Sequence, residues 1–189
     1  LTRILDFSDR STCILFGDGA GAVVLSASDE EGGGLGGLEL TADPDGAWNI
    51  WIPAGGARRP TTEGTVARAE HYMRMEGRET YRYATRTIAS SALAAVERAG
   101  WTPDQIDLIV PHQANVRIVD AACQRLGFPT DQVANVLPTT GNTSAASIPL
   151  ALVDSIERDR LRDGDLVLFS GFGAGMSWAS ALLRWEDPR

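Results

Sequence analysis

Short β-branched runs bounded by glycine alternate along this chain with longer stretches of helical spacing. Ser11-Thr12-Cys13-Ile14-Leu15-Phe16 and Ala22-Val23-Val24-Leu25 each predict a strand, and Gly17-Asp18-Gly19-Ala20-Gly21 between them predicts the turn of a hairpin. A further strand is expected at 38–42. The stretch from there to about residue 70 carries Trp48, Trp51, Pro53, Pro60 and Gly55-Gly56, and predicts an irregular covering segment. From 75 to 99 the pattern is helical, with Tyr81, Ala84, Ile88, Ala92, Val96 and Ala99 on one face and Gly100 as its stop. Thr102-Pro103 opens a brief turn before a short buried strand at 108–110. A helix follows over 115–126, with Val119, Ala122, Cys123 and Leu126 inward and Gly127 after it. A strand at 133–137, a helix at 144–160 and strands at 166–170 and 177–185 complete the reading.

From residue 38 onward the order is β, α, β, α, β, α, β, β. That order predicts an α/β fold with a mainly parallel sheet, helices on its faces and a closing antiparallel strand. Residues 29–37, acidic and then glycine-rich, read as a linker, which divides the chain into 1–37 and 38–189. Ligands of such sheets gather at the carboxyl ends of strands. Two strings fall there: Pro111-His112-Gln113-Ala114-Asn115 and Gly141-Asn142-Thr143-Ser144-Ala145-Ala146-Ser147. The turn Gly171-Phe172-Gly173-Ala174-Gly175 joins them.

Composition narrows the function classes. The 189 residues are 43% hydrophobic, enough for one core or slightly more. No apolar run reaches the ~20 residues of a membrane span, and no signal peptide is present, so a soluble cytoplasmic protein is expected. A beginning at Leu1-Thr2-Arg3-Ile4 suggests a fragment of a longer chain. The net charge of -8 argues against nonspecific nucleic-acid binding, and its positive side is made of arginine alone. Cys13 and Cys123 lack any metal-ligand or CxxC spacing and read as buried thiols.

His112 and Asn142 carry the chemistry. Asn is no acid or base near neutral pH, but its amide N–H is a fixed donor, and neutral His supplies a second one. Two donors aimed at one carbonyl oxygen stabilise an enolate or a tetrahedral oxyanion. Glycines at 171, 173 and 175 let a substrate approach the backbone and offer further N–H groups. The glycines at 17–21 are not a phosphate loop, since no Gly-Lys-Ser/Thr follows. Arg74, Arg78, Arg82 and Arg86 recur at helical spacing as a basic stripe.

The strings Gly17-Asp18-Gly19-Ala20-Gly21-Ala22, Pro111-His112-Gln113-Ala114-Asn115, Gly141-Asn142-Thr143-Ser144-Ala145-Ala146-Ser147 and Phe172-Gly173-Ala174-Gly175 closely resemble β-ketoacyl-acyl carrier protein synthase III. The resemblance covers essentially the whole chain. It implies a thiolase-like fold of αβαβα layers, with 1–37 as the end of the first half plus linker and 38–189 as the second half. It implies decarboxylative condensation of an acyl-CoA primer with malonyl-acyl carrier protein to a 3-oxoacyl product, in a homodimer without metal or redox cofactor. His112 and Asn142 resemble two members of the family's Cys-His-Asn triad. The cysteine belongs to the first half, upstream of Leu1, so the isolated chain is expected to be inactive.

The resemblance also implies backbone oxyanion contacts at Gly173, Ala174 and Gly175. It implies CoA and substrate contacts at Arg10, Gly77, Tyr81, Ala114, Asn115 and Phe172, and carrier-protein docking by Arg82, Arg117 and Arg125. Tyr81 stands where the family usually has Phe. Two alternatives remain open: a relative of the same fold that starts polyketides or transfers acyl groups elsewhere, and an inactive fragment that only folds or dimerises.

Overall fold

The computed structural model describes residues 1–27 and 34–187. Its centre is a four-stranded sheet in the order β1 (Gly34–Ala42), β6 (Ser177–Arg184), β5 (Leu166–Gly173), β4 (Leu108–Pro111). Only β4 and β5 are parallel, while β5–β6 and β6–β1 are antiparallel. The sheet is therefore mixed and not mainly parallel. The expected strand at 133–137 is absent from the ladder. Val133 makes one isolated bridge to Ile109, and Asn135 Oδ1 then accepts from Leu137 N at 3.1 Å to start the short helix α5 (Leu137–Thr140). Pro138, which has no N–H for a ladder, sits in that first turn.

The buried strands read as continuous apolar runs because both faces are covered. Ile109, Leu166, Leu168 and Leu182 face helices α3 (Gly77–Arg98) and α4 (Val116–Leu126), joined there by Ala92, Val96, Val119 and Cys123. Leu108, Val110 and Val167 face the other way, onto Ala151 and Leu152 of α6 (Ser147–Glu157). Each fully buried Leu or Val contributes about 2 kcal/mol. Successive residues of one strand thus serve two cores.

Helix α3 presents small residues to the sheet, and β1 comes close enough that only glycine fits. A Cβ on Gly37 would lie 2.3 Å from the Ala95 carbonyl oxygen, and one on Gly36 would lie 2.9 Å from the Trp101 ring. Of the expected linker 29–37, residues 29–33 lie outside the described residues, and 34–37 are strand, with Gly36 and Gly37 serving packing. Tyr81 leaves the predicted apolar face of α3, at 39% exposed, and Thr80 takes the buried position. Between α3 and β5 runs a buried hydroxyl chain: Ser91 Oγ donates to Ser180 Oγ at 2.9 Å, and Ser180 Oγ to Ser170 Oγ at 2.8 Å.

The predicted N-terminal hairpin does not form. Asp9 Oδ1 accepts from Ser11 N at 2.9 Å and caps a short helix, α1 (Arg10–Cys13), where a strand was expected. Val23, Val24 and Leu25 are 61, 94 and 90% exposed and make no ladder with any described residue. The intervening glycines run along the start of α6, where a Cβ on Gly21 would lie 2.4 Å from Pro149 Cβ. The covering segment is more regular than expected: a 3-10 turn at Pro44–Asn49, a two-stranded ribbon of β2 (Ile50–Trp51) and β3 (Arg74–Met75), and helix α2 (Glu63–Ala67). Among the described residues no helix is long and apolar enough to cross a membrane.

Candidate active site

His112 extends β4 by one residue. Its N–H donates to Ser170 O at 2.7 Å, so the strand pairing that ends at Pro111–Ser170 is continued by the backbone that carries the ring. The ring stands edge-on to Phe172, 5.6 Å between centroids. Its Nδ1 lies 2.6 Å from Ser147 Oγ at the start of α6. Burial alone depresses the imidazole to about 4, and no carboxylate opposes that effect. His112 is therefore neutral at pH 7.

Gln113, fully buried, locks the loop beyond. Its Nε2 donates to Pro111 O at 2.8 Å and Ala134 O at 3.1 Å, and its Oε1 accepts from Val136 N at 3.1 Å. Asn115 then caps α4 by accepting from Arg117 N at 3.0 Å, which leaves its NH2 group free of the cap.

Asn142 is reached from another direction. Its N–H donates to Leu15 O at 3.0 Å and its carbonyl accepts from Gly17 N at 2.9 Å, a single parallel bridge to Phe16. Gly141 turns the chain into this bridge with φ of 63°, a left-handed value that suits glycine. The Asn142 side chain accepts from Ser144 N at 2.9 Å through Oδ1, an Asx turn that assigns oxygen to that end. The NH2 end is the donor that remains.

Both side chains line one cavity of about 720 Å³. Of the residues singled out in the sequence, Gly77, Tyr81, Ala114, Asn115, Arg117, Phe172, Gly173 and Ala174 also line it. Arg10, Arg82, Arg125 and Gly175 do not. Arg10 opens α1 beside Ser11, which does line the cavity. Arg82 is exposed and paired with Glu79 at 3.1 Å, and Arg125 sits in the last turn of α4, eight residues from Arg117 or about 12 Å along the axis. The expected arginine stripe is broken at its start: Arg74 belongs to β3 and contacts Asp6 at 3.9 Å.

The glycine-rich turn is also divided. Gly171 and Gly173 are strand residues paired with Ala179 and Ser177, and the turn itself is Ala174–Met176, with Gly175 at φ of 79°. A Cβ on Gly173 would meet nothing within 4 Å, so that backbone is open on its cavity side.

Thr80, Phe16 and Ile148 also line the cavity, and Ser147 contacts His112 from behind, though no sequence motif assigns any of the four a role. Ser147 stands in the asparagine motif five residues after Asn142, one helical turn and a loop away, and that spacing was the available signal. Thr80 is buried in the cavity wall with an unpartnered hydroxyl. Among the described residues no three of His, Cys, Asp and Glu gather as metal ligands would.

Residues 96–185 match the family model described as 3-oxoacyl-[acyl-carrier-protein] synthase III C terminal, and residues 1–44 match that of 3-oxoacyl-[acyl-carrier-protein] synthase III. The chain is 48% identical over 184 residues to the β-ketoacyl-[acyl-carrier-protein] synthase III of Roseiflexus sp. (strain RS-1), covering 97% of this chain and 56% of that protein. It is similar to the crystal structure of 3-oxoacyl-(acyl carrier protein) synthase III from Pseudomonas aeruginosa PAO1, with a TM-score of 0.87 and 38% identity over 98% of this chain and 55% of that one. The priming β-ketosynthase of the R1128 polyketide pathway matches at a TM-score of 0.87 and 35% identity, covering 100% of this chain and 55% of that one. The chain thus spans about half the length of the relatives it matches.

Proposed function

The chain belongs to the 3-oxoacyl-[acyl-carrier-protein] synthase III family, with its thiolase-like fold, and on that premise we propose that it supplies the enolate-stabilising half of a decarboxylating condensing site. The reaction is condensation of an acyl-CoA primer with malonyl-acyl carrier protein to a 3-oxoacyl-acyl carrier protein. One observation carries this reading: a neutral His112 and an Asn142 whose amide oxygen is already engaged line the same cavity.

When the malonyl carboxylate leaves as carbon dioxide, its bonding electron pair moves onto the thioester as an enolate. Two N–H donors aimed at that oxygen stabilise it as charge develops. No proton is abstracted in that step, so an imidazole held neutral suits it better than an imidazolium or a general base. Backbone N–H groups at Gly173, Ala174 and Gly175 are assigned to the oxyanion of the following carbon–carbon bond formation.

Within this reading Arg10, Gly77, Tyr81, Ala114, Asn115 and Phe172 contact CoA and substrate, Arg10 at the adenine end outside the cavity, and Arg82, Arg117 and Arg125 dock the acidic carrier protein. Residues 1–37 are assigned to the end of the first thiolase-like half and the linker, whose last residues, 34–37, begin β1, and 38–189 to the second half. A homodimer and a cytoplasmic setting belong to the same reading, on the family resemblance.

Neither cysteine is assigned as the nucleophile that holds the acyl group. Cys123 is buried in the main core, where desolvation and then Asp120 push its thiol up to about 11, and Cys13 does not line the cavity. The likeness to the R1128 enzyme favours a second reading, priming of a polyketide with the same chemistry and a different carrier.

The test is decarboxylation of a malonyl thioester, followed as carbon dioxide release by the protein that carries this chain. His112→Ala and Asn142→Ala should each lower kcat about 100-fold. Undiminished release in either variant sinks the reading, and comparison of fatty-acid and polyketide carrier proteins as acceptors separates the two pathways.

A further inference from the structure

Ser147 is fully buried, and its hydroxyl meets two groups: it accepts from the backbone N–H of Gln113 at 3.2 Å, and it lies 2.6 Å from His112 Nδ1. A serine hydroxyl has one proton to give. If Nδ1 carried the imidazole proton, that proton would point at Ser147 Oγ, and the serine O–H would need another acceptor. Among the described residues the hydroxyl has no hydrogen-bond partner besides these two. If Nδ1 is the bare nitrogen, the serine donates to it, and every group in the chain Gln113 N–H, Ser147 O–H, His112 is satisfied. The imidazole proton then resides on Nε2.

We propose that Ser147 is a positioning residue that sets the tautomer of His112, holding Nδ1 as acceptor and so committing Nε2–H as the donor into the cavity. The catalytic value of this assignment rests on the enolate-donor reading above, whereas the tautomer itself does not. A His with Nδ1–H would present a lone pair at Nε2 and repel an enolate oxygen instead of donating to it. The arrangement needs no carboxylate behind the histidine, in keeping with an imidazole that burial keeps neutral. The anchoring is rigid on three sides: His112 N is tied to Ser170 O, Gln113 to three backbone groups, and Ser147 to the first turn of α6.

The deciding measurement is the side-chain 15N shifts of His112, read by long-range 1H–15N correlation in the protein that carries this chain and assigned by their loss in His112→Gln. The expected result is a bare Nδ1 and a protonated Nε2 from pH 6 to 8. A protonated Nδ1 overturns the proposal, and this arm needs no variant at Ser147 to fold. In Ser147→Ala the two shifts should move toward a mixture of tautomers. The kcat for malonyl-thioester decarboxylation should fall about 10- to 100-fold with KM unchanged, and Ser147→Thr, which keeps the hydroxyl, should restore both. Unchanged shifts and kcat in a folded Ser147→Ala also overturn it. A wild-type protein that has the expected tautomer and decarboxylates nothing refutes the function and leaves the tautomer assignment standing.

Discussion

Gly17 donates its backbone N–H to the carbonyl of Asn142 at 2.9 Å, so the asparagine is held by a segment more than a hundred residues away in the chain. The approach is too close for a side chain. A Cβ on Gly17 would lie 2.3 Å from the Thr140 carbonyl oxygen, a backbone atom that cannot swing aside.

Gly17→Ala therefore forces the two segments apart. We expect it to destabilise the fold by about 2 kcal/mol, read as a lower denaturation midpoint. Decarboxylation should fall in parallel, because Asn142 moves with Gly141 and Thr140. An alanine variant with native stability and activity would show that the bridge does not position the asparagine.

Stability should depend on pH through His112. Its folded value of about 4 lies below the ordinary 6.5, so the unfolded chain takes up the proton first as pH falls. The stabilising contribution is complete above pH 6.5 and is lost between 6.5 and 4. This difference lowers unfolding free energy by about 2 kcal/mol at pH 5 relative to pH 7. The check is urea denaturation at both values, with His112→Gln as the comparison. The wild-type protein should lose about that much more than the variant between the two pH values.

Asn142→Asp separates donor from shape. The aspartate can still accept from Ser144 N in the Asx turn, so the local backbone should persist. At neutral pH it has no N–H to give, and its charge opposes an enolate. We expect kcat for decarboxylation to fall at least as far as in Asn142→Ala, by about 100-fold or more, with the circular dichroism spectrum unchanged. Activity above that of Asn142→Ala would mean that the amide is not a donor.

Cys123 should resist alkylation. Its thiol is 4% exposed and pushed up to about 11, so little thiolate exists at pH 8. In native protein, iodoacetamide should label the partly exposed Cys13 first, as mapped by peptide mass spectrometry, and denaturant should release Cys123. As a separate 189-residue polypeptide the chain should take no acyl group from acyl-CoA. A stable acyl adduct on either cysteine would reverse the assignment of the nucleophile.

One side of β1 is open and apolar. Leu35, Leu38 and Leu40 are 62, 46 and 71% exposed along one strand, and Val24 and Leu25 are more exposed still. Such a surface favours self-association. Light scattering of the 189-residue chain should show a mass that rises with concentration, and Leu40→Lys should reduce it. A concentration-independent monomer would count against a face made for covering.

Legibility followed the range of the interactions. Helices α3 and α4 and strands β4, β5 and β6 were readable within a few residues, because their signals are periodic and local: Asn115 caps α4, Gly127 at φ of 74° ends it, and the runs at 108–110 and 166–169 are apolar on both faces. The hairpin expected at 11–25 does not form because strand-like composition does not supply a partner. Asp9 captured Ser11 into a helical turn, and Gly17 bonded to Asn142 instead of to a neighbouring strand. Gly36 and Gly37 resemble a flexible linker because a sequence does not display the Trp101 and Ala95 atoms that crowd them.

The sequence by itself determined the chemical identities: one histidine and one asparagine at the ends of apolar or glycine-marked segments, helix stops at Gly100 and Gly127, and no charged residue next to the histidine in sequence. The family resemblance rested on those same strings. A shared site for His112 and Asn142 was already expected from those strings, and the structure places both on one cavity; tertiary structure alone decided that the histidine is buried and neutral and that Ser147 stands behind it. Each of these depends on burial and on contacts between residues tens of positions apart, and a ring nitrogen 2.6 Å from a hydroxyl on another helix leaves no periodic trace along the chain.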